Sequence, residues 1–111
     1  MESFPPALVP LAAVSFLGDP SWIWLDVREP DEFEYGHLPD SLNIPLSRMS
    51  TDDFASFSKE QKFMVVCRSG GRSGRVVHSL REQGFVNVCN FSGGLIGYNL
   101  VAEKHVPVLM H

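Results

Sequence analysis

Short apolar runs alternate with amphipathic segments along this chain. Bulky apolar residues fill Trp22 to Val27 and Phe63 to Val66, which predicts two buried strands. Shorter strands are predicted at Leu42 to Ile44 and at Val86 to Cys89. Spacing, capping and turn signals between them predict helical segments over Leu8 to Leu17, Pro30 to Tyr35, Thr51 to Phe57 after Ser50, Ser73 to Gln83, and Leu95 to Lys104.

This alternation predicts an α/β fold with a central, mainly parallel sheet of four to five strands and helices on both faces. Ligands of such sheets bind beyond the carboxyl ends of the strands. The apolar strand Phe63 to Val66 ends directly before Cys67. The residues that follow it are therefore the first place to look for chemistry.

The hexapeptide from Cys67 to Arg72 combines a thiol, two arginines and two glycines at that position. Gly70 and Gly71 can adopt positive φ and carry no Cβ, so consecutive N–H groups can converge on one point. A cysteine near a helix N-terminus and cationic side chains has its thiolate stabilised. Cys67 is therefore a candidate nucleophile, and Ser73 is the predicted cap of the helix that follows and ends at Gly84.

Three arginines, Arg68, Arg72 and Arg75, lie within this short stretch of a chain whose formal net charge is -4. The local charge opposes the global one, and a guanidinium is suited to binding oxyanions. The alternative is that Cys67 is only a small buried hydrophobic residue. Two glycines and two arginines beside it would make a poor core, which favours an anion-binding loop.

Composition and length limit the other possibilities. The chain has 111 residues, 44% of them hydrophobic and 20% charged, which fits one domain over 1–111 with a core of about 8–108. The first six residues lack a basic start and contain Pro5 and Pro6, and no stretch approaches the ~20 apolar residues of a membrane span. We therefore expect a soluble cytoplasmic monomer without a membrane partner.

The charge balance and the cysteine count exclude further classes. An acidic chain without a broad basic face is not expected to bind nucleic acid. Two cysteines provide no disulfide framework, and no Cys/His spacing resembles a zinc site. A reducing compartment fits this composition best.

The segment Cys67 to Ser73 resembles the active-site loop of single-domain rhodaneses, a family of sulfurtransferases. Flanking motifs agree with this resemblance, which runs from about Leu8 to about Val108 and includes Leu25-Asp26-Val27-Arg28-Glu29-Pro30, Gly36-His37-Leu38-Pro39, Asn43-Ile44-Pro45-Leu46 and Ser92-Gly93-Gly94-Leu95. It implies the rhodanese-like fold.

The resemblance also implies a function. Sulfur would pass from a small anion such as thiosulfate to Cys67, forming a persulfide, and then to cyanide, a thiol or a protein acceptor. No metal or organic cofactor would be required. The implied substrate-binding residues are those of the loop, namely Arg68, Ser69, Gly70, Gly71, Arg72 and Ser73.

Two alternatives belong to other functional classes. One is phosphatase or arsenate-reductase chemistry on the same loop, but the related phosphatases have the longer spacing C-x5-R, whereas Cys67 and Arg72 have C-x4-R. The other is a non-enzymatic sulfur carrier or an interaction or sensing module. Intact Cys67, Arg68 and Arg72 argue against a decayed site.

Four residues outside the loop have weaker signals. Asp26 and Arg28 form either a charge pair that braces the active loop or an ordinary salt bridge at a strand end. His37 is better interpreted as a turn or capping residue than as a catalytic base. Cys89 is better interpreted as a buried strand residue than as a resolving thiol.

Overall fold

A computed structural model of the protein describes residues 7–8 and 13–96. The strands are β1 (Ala7–Leu8), β2 (Trp22–Asp26), β3 (Leu42–Asn43), β4 (Lys62–Val66) and β5 (Val88–Phe91). The α-helices are α1 (Pro30–Tyr35) and α2 (Gly71–Glu82), and residues 94–96 are also helical. Short 3-10 helices span Val14–Phe16, Leu46–Arg48 and Thr51–Phe54. None of the helices in this part of the chain is long and apolar enough to cross a membrane.

The described strands form one sheet in the order β1-β5-β4-β2-β3, and every pairing in it is parallel. Strand β4 lies at the centre, with Val65 opposite Leu25 of β2 and opposite Asn90 of β5. The predicted mainly parallel sheet is confirmed. Its central position places the carboxyl end of β4, and hence Cys67, between the ends of its two neighbours.

Both faces of the sheet are covered by apolar side chains. Phe63 and Val65 of β4 pack on one face against Val76, Val77 and Leu80 of α2 and against Phe54. Met64 and Val66 pack on the other face with Trp24, and Ala13, Leu38 and Leu95 belong to the same cluster. A parallel strand buried on both faces has a continuous apolar sequence, which explains the run that predicted β4.

The predicted helix from Leu8 to Leu17 is wrong at its start. Leu8 belongs to β1, where it pairs with Phe91. Among the described residues of the predicted range, a helical segment lies around Val14–Phe16. A two-residue edge strand is too short to produce an alternating pattern, so its pairing with β5 defines it. The predicted helix after Ser50 shortens to Thr51–Phe54, although Ser50 does cap it and its N–H donates to Asp53 Oδ2 at 2.8 Å.

The last predicted strand is displaced by two residues along the chain. Val86 and Asn87 precede β5, and their backbones bond outside its ladder: the Val86 N–H donates to Lys59 O at 3.1 Å, and Asn87 O accepts from Phe63 N–H at 2.9 Å. The predicted helix from Leu95 to Lys104 lies largely outside the described residues.

Candidate active site

The loop after β4 directs backbone N–H groups toward the thiol of Cys67. Gly70 has a φ of +100°, a left-handed conformation that favours glycine, and its N–H donates to Cys67 Sγ at 3.0 Å. The backbone N–H groups of Ser69 and Ser73 also act on the sulfur and lower the pKa of the Cys67 thiol. Helix α2 begins at Gly71, so its first turn faces the thiol. Of the two glycines from which the sequence predicted converging N–H groups, Gly70 has its N–H on the sulfur.

Two opposing effects set the pKa of the Cys67 thiol. Burial raises it, because a charged sulfur loses its hydration. The Ser73 hydroxyl, 3.3 Å from Sγ, and the N–H groups of Ser73, Gly70 and Ser69 lower the pKa by more, so the net shift is downward. The loop therefore favours the thiolate of Cys67 by hydrogen bonding.

Ser73 is not the cap of the following helix, as the sequence predicted, because Gly70 occupies that position. Ser73 is buried within the first turn of α2, where its hydroxyl contacts Cys67. The single proton of this hydroxyl is shared between Cys67 Sγ and Asn90 Oδ1 of β5, which also lies within hydrogen-bond distance. Asn90 Nδ2 donates to Gly70 O at 3.1 Å. Asn90 thus connects β5 to the loop. Sequence analysis missed it, because the predicted strand ended at Cys89, one residue before Asn90.

Glycine is required at Gly94, where two backbone segments nearly touch. Gly94 has a φ of +61°, and a Cβ there would lie 2.5 Å from the Arg68 carbonyl group and 2.7 Å from Cys67 O. This approach lets Leu95 N–H donate to Cys67 O at 3.0 Å and Ile96 N–H donate to Arg68 O at 2.9 Å. Gly71, by contrast, is helical, and a Cβ at that position would meet nothing within 4 Å, so the expected need for both loop glycines holds only for Gly70.

Asp26 and Arg28 form a buried, bidentate ion pair. Arg28 Nε donates to Asp26 Oδ1 at 3.0 Å and Arg28 Nη2 donates to Asp26 Oδ2 at 2.8 Å. The same guanidinium donates to Gly36 O at 2.7 Å and to Glu32 O at 3.2 Å. The pair therefore fixes the carboxyl end of β2 against α1, and its contact with Glu32 O links it to the partner of Arg72 in the loop.

Glu32 forms a second bidentate ion pair, with Arg72 of the loop. Arg72 Nη1 and Nη2 donate to Glu32 Oε1 and Oε2 at 2.8 and 3.0 Å. Hydrogen bonding to Arg72 lowers the pKa of the Glu32 carboxyl to about 2, and the same bond raises the pKa of Arg72. The negative charges of Cys67 and Asp26 raise the Arg72 pKa further, so its guanidinium lies within electrostatic range of the thiolate. Sequence analysis did not identify Glu32 as the partner of this arginine.

The three arginines of the sequence motif face different surroundings. Arg68 is exposed, makes no ion pair within the described residues, and lines a cavity of about 520 Å³. The other residues that line this cavity are Arg28, Asp31, Glu32, Tyr35, Leu95 and Ile96. Arg75 instead lines a separate cavity of about 280 Å³ between α2 and the 3-10 segments. Arg75 therefore lies apart from the cavity that is lined by Arg68 and by Glu32, the partner of Arg72.

Cys89 lies apart from Cys67 in both position and chemistry. It is opposite Met64 of β4, so Cys67 lies three residues, roughly 10 Å, farther along the sheet. A disulfide requires Cα atoms closer than about 7 Å. Burial raises the pKa of Cys89 to about 11. These findings favour the buried strand residue over the resolving thiol.

His37 has the structural role that the sequence favoured. Its Nδ1 lies 2.8 Å from Phe33 O, and its ring stacks on that of Phe33 with centroids 3.7 Å apart. No group of three or more His, Cys, Asp or Glu side chains among the described residues could hold a metal ion.

Comparisons with known proteins identify relatives of this chain. A family model for the rhodanese-like domain matches residues 11–100. A sulfurtransferase of Allochromatium vinosum is 32% identical over 85 residues, which cover 77% of this chain and 76% of that protein. Rhodanese-like/PpiC domain-containing protein 12, a chloroplastic protein of Arabidopsis thaliana, is 37% identical over 86 residues, 75% of this chain. The chain spans only 29% of the length of that relative.

A solved structure extends the comparison to the whole fold. The crystal structure of a rhodanese-related protein from Thermoplasma volcanium superimposes with a TM-score of 0.77 at 25% identity. The match covers 96% of this chain and 98% of that one.

Proposed function

The chain belongs to the rhodanese-like domain family, and on that premise we propose that it transfers a sulfane sulfur from a donor such as thiosulfate to a thiophilic acceptor through a persulfide on Cys67. The observation that carries the proposal is the thiol itself. Its pKa is lowered by the Ser73 hydroxyl and by N–H groups of the loop, against the opposing effect of burial. A thiolate held in this way is a nucleophile that needs no separate base.

In the first step the Cys67 thiolate attacks the outer sulfur of thiosulfate. A sulfur–sulfur bond forms to Sγ, the bond between the two sulfurs of the donor breaks, and its electron pair leaves with sulfite. Arg68, exposed at the cavity, is suited to hold the sulfonate oxygens. The N–H groups of Ser69, Gly70 and Ser73 would stabilise the negative persulfide.

In the second step an acceptor, cyanide or a thiolate, attacks the outer sulfur of the persulfide. The electron pair of the broken bond returns to Cys67 Sγ, which regenerates the thiolate, and with cyanide the product is thiocyanate. No external oxidant or reductant enters either step with cyanide as the acceptor. Donor and acceptor use the site in turn, so ping-pong kinetics are expected.

Other residues of the site have supporting roles in this proposal. Gly70 supplies the turn, Asn90 holds the Ser73 hydroxyl and Gly70 O, and Asp26 with Arg28 positions α1. Gly71 contributes the beginning of α2. The spacing C-x4-R from Cys67 to Arg72 keeps the loop short, which counts against phosphoryl transfer.

The mass of the intact protein tests the proposal directly. Incubation with thiosulfate should add one sulfur atom to the wild type and none to Cys67→Ser, and later addition of cyanide should remove that sulfur as thiocyanate. Cys89→Ala is the matched control and should behave as the wild type. Wild-type protein that gains no sulfur and yields no thiocyanate with thiosulfate would contradict this donor assignment, and an adduct that survives in Cys67→Ser would contradict the role of Cys67.

A further inference from the structure

Arg72, the arginine that ends the loop motif, already holds an internal anion. Glu32 places both carboxylate oxygens on Arg72, at 2.8 and 3.0 Å. The carboxylate is itself held in place, because Oε1 also accepts from Glu29 N–H at 3.0 Å. The backbone of Glu32 is fixed in turn by Arg28 Nη1, which donates to Glu32 O at 3.2 Å. An anion that approaches Arg72 therefore meets a positioned competitor.

The charges that line the 520 Å³ cavity beside Glu32 are also nearly balanced. Arg28 is neutralised by Asp26, with a buried contact of 2.8 Å. Asp31 adds a further carboxylate to the wall of the 520 Å³ cavity. Arg68 is the cation of this wall that has no carboxylate partner within the described residues. A small dianion would find one cation available and would face the charges of Glu32 and Asp31.

The cavity also offers apolar surface at its rim. Tyr35 is 82% exposed and Ile96 45% exposed, and Leu95 completes this part of the lining. A volume of 520 Å³ falls within the range of about 300–1,000 Å³ that is usual for organic ligands, which is more room than a small inorganic anion needs.

We propose that Glu32 determines donor specificity by occupying Arg72, so that the site disfavours the second negative charge of small inorganic dianions and favours sulfane donors with one negative charge and an organic body. This inference rests on the proposed sulfur transfer. For an organic thiosulfonate, the Cys67 thiolate bonds to the outer sulfur, the sulfur–sulfur bond of the donor breaks, and its electron pair leaves with the sulfinate. Glu32 takes no part in that bond making and is a specificity residue rather than a catalytic one.

Thiosulfate and methanethiosulfonate form a matched pair of probes, because a methyl group replaces one charged oxygen and the second negative charge is lost. The substitution Glu32→Gln keeps an oxygen for the Glu29 N–H and removes the charge opposite Arg72. The expected result is a rise of about tenfold in kcat/KM for thiosulfate, carried by KM, with a change of less than about threefold for methanethiosulfonate. Glu34→Gln, an exposed change on the same helix, should alter neither value.

Three results would overturn the inference: a fall in kcat/KM for thiosulfate in Glu32→Gln, an equal rise for both donors, or an equal effect in Glu34→Gln. Titration with sulfate and with methanesulfonate provides a second readout that needs no turnover. Glu32→Gln should bind sulfate about tenfold more tightly and methanesulfonate almost unchanged. If the wild type formed no thiocyanate with either donor, sulfur transfer itself would be contradicted. The sulfate titration would then still test Glu32: tighter sulfate binding by Glu32→Gln would support its role, and an unchanged sulfate affinity would overturn it.

Discussion

The two cysteines of this protein are equally buried and chemically opposite. Cys67 and Cys89 are each 0% exposed, and burial acts to raise the pKa of both thiols. At Cys89 burial prevails, with only a small opposing effect of Arg81, and the pKa rises to about 11. At Cys67 hydrogen bonds reverse the effect of burial and the pKa falls. Burial therefore does not distinguish a reactive thiol from an inert one; the donors aimed at the sulfur do.

Position in the sheet explains where those donors come from. Cys89 lies within β5, opposite Met64, where the ladder between strands uses the backbone N–H groups. Cys67 follows the last residue of β4, where the ladder has ended and the first turn of α2 leaves N–H groups without helical partners. A shift of a few residues along one sheet thus changes a core side chain into a candidate nucleophile.

The largest expected difference between the two thiols is in sulfur transfer. Cys67→Ser should reduce thiocyanate formation by at least about a thousandfold, because serine cannot form a persulfide. Cys89→Ala should stay within about threefold of the wild type and lower the free energy of unfolding by about 1 kcal/mol, because it leaves a small cavity. Steady-state assays measure the rate of thiocyanate formation, and denaturant unfolding measures the stability of each variant. Comparable loss of activity in the two variants would remove the distinction.

The second difference concerns the backbone on the Cys67 side. Gly94→Ala should lower the free energy of unfolding by about 3 kcal/mol, because its Cβ would lie 2.5 Å from the Arg68 carbonyl and its φ is +61°. Gly71→Ala is the control: nothing lies within 4 Å of its Cβ position, and stability should stay constant or rise by up to about 1 kcal/mol. Urea unfolding should separate the two variants, and equal values would show that the close approach at Gly94 carries no cost.

The third test removes one donor from the Cys67 thiolate. Ser73→Ala should raise the pKa of Cys67, because the hydroxyl 3.3 Å from Sγ stabilises the charged form. The alkylation rate of Cys67 at pH 7 should fall severalfold, and its pH profile should shift toward that of Cys89. Ser79→Ala, an exposed change on α2, provides the control. A profile unchanged in Ser73→Ala would assign the whole effect to the backbone N–H groups.

The smallest expected effect is an acid-sensitive stability on the loop side. The folded pKa of Glu32 is about 2 against an ordinary 4.5, so the unfolded state binds a proton first as the pH falls. The stabilisation is present above about pH 4.5 and is lost as the pH falls toward 2. It should amount to no more than about 1 kcal/mol, since the pair is partly exposed to solvent. The free energy of unfolding should be measured between pH 5 and pH 2. Its decrease with falling pH should be smaller in Glu32→Gln than in the wild type and unchanged in Glu34→Gln.

Sequence reasoning succeeded where the signal was local. The apolar run of β4 and the cysteine after it predicted the central strand and the position of Cys67, because burial on both faces and a loop turn depend on consecutive residues. It failed at Ser73, which was assigned as a cap, because Gly70 begins the helix earlier and leaves the serine facing the thiol.

Contacts between distant segments could not be predicted in this way. Glu32 meets Arg72 across 40 residues, and Asn90 meets Ser73 across 17, so neither pairing leaves a pattern within one stretch of chain. The two-residue strand β1 is defined only by its pairing with β5. These features arise when the sheet brings the ends of its strands together.

The complete burial of Cys67 also bears on its resistance to damage. A low-pKa thiolate in open solvent is oxidised to sulfenic acid and then irreversibly to sulfinic and sulfonic acids. Because Cys67 is 0% exposed, peroxide and the sulfur donor alike can reach the sulfur only when neighbouring atoms move aside. Loop movement would then limit oxidative inactivation. The same burial, which by itself disfavours the thiolate, would shield a sulfur stored there from the surrounding solution.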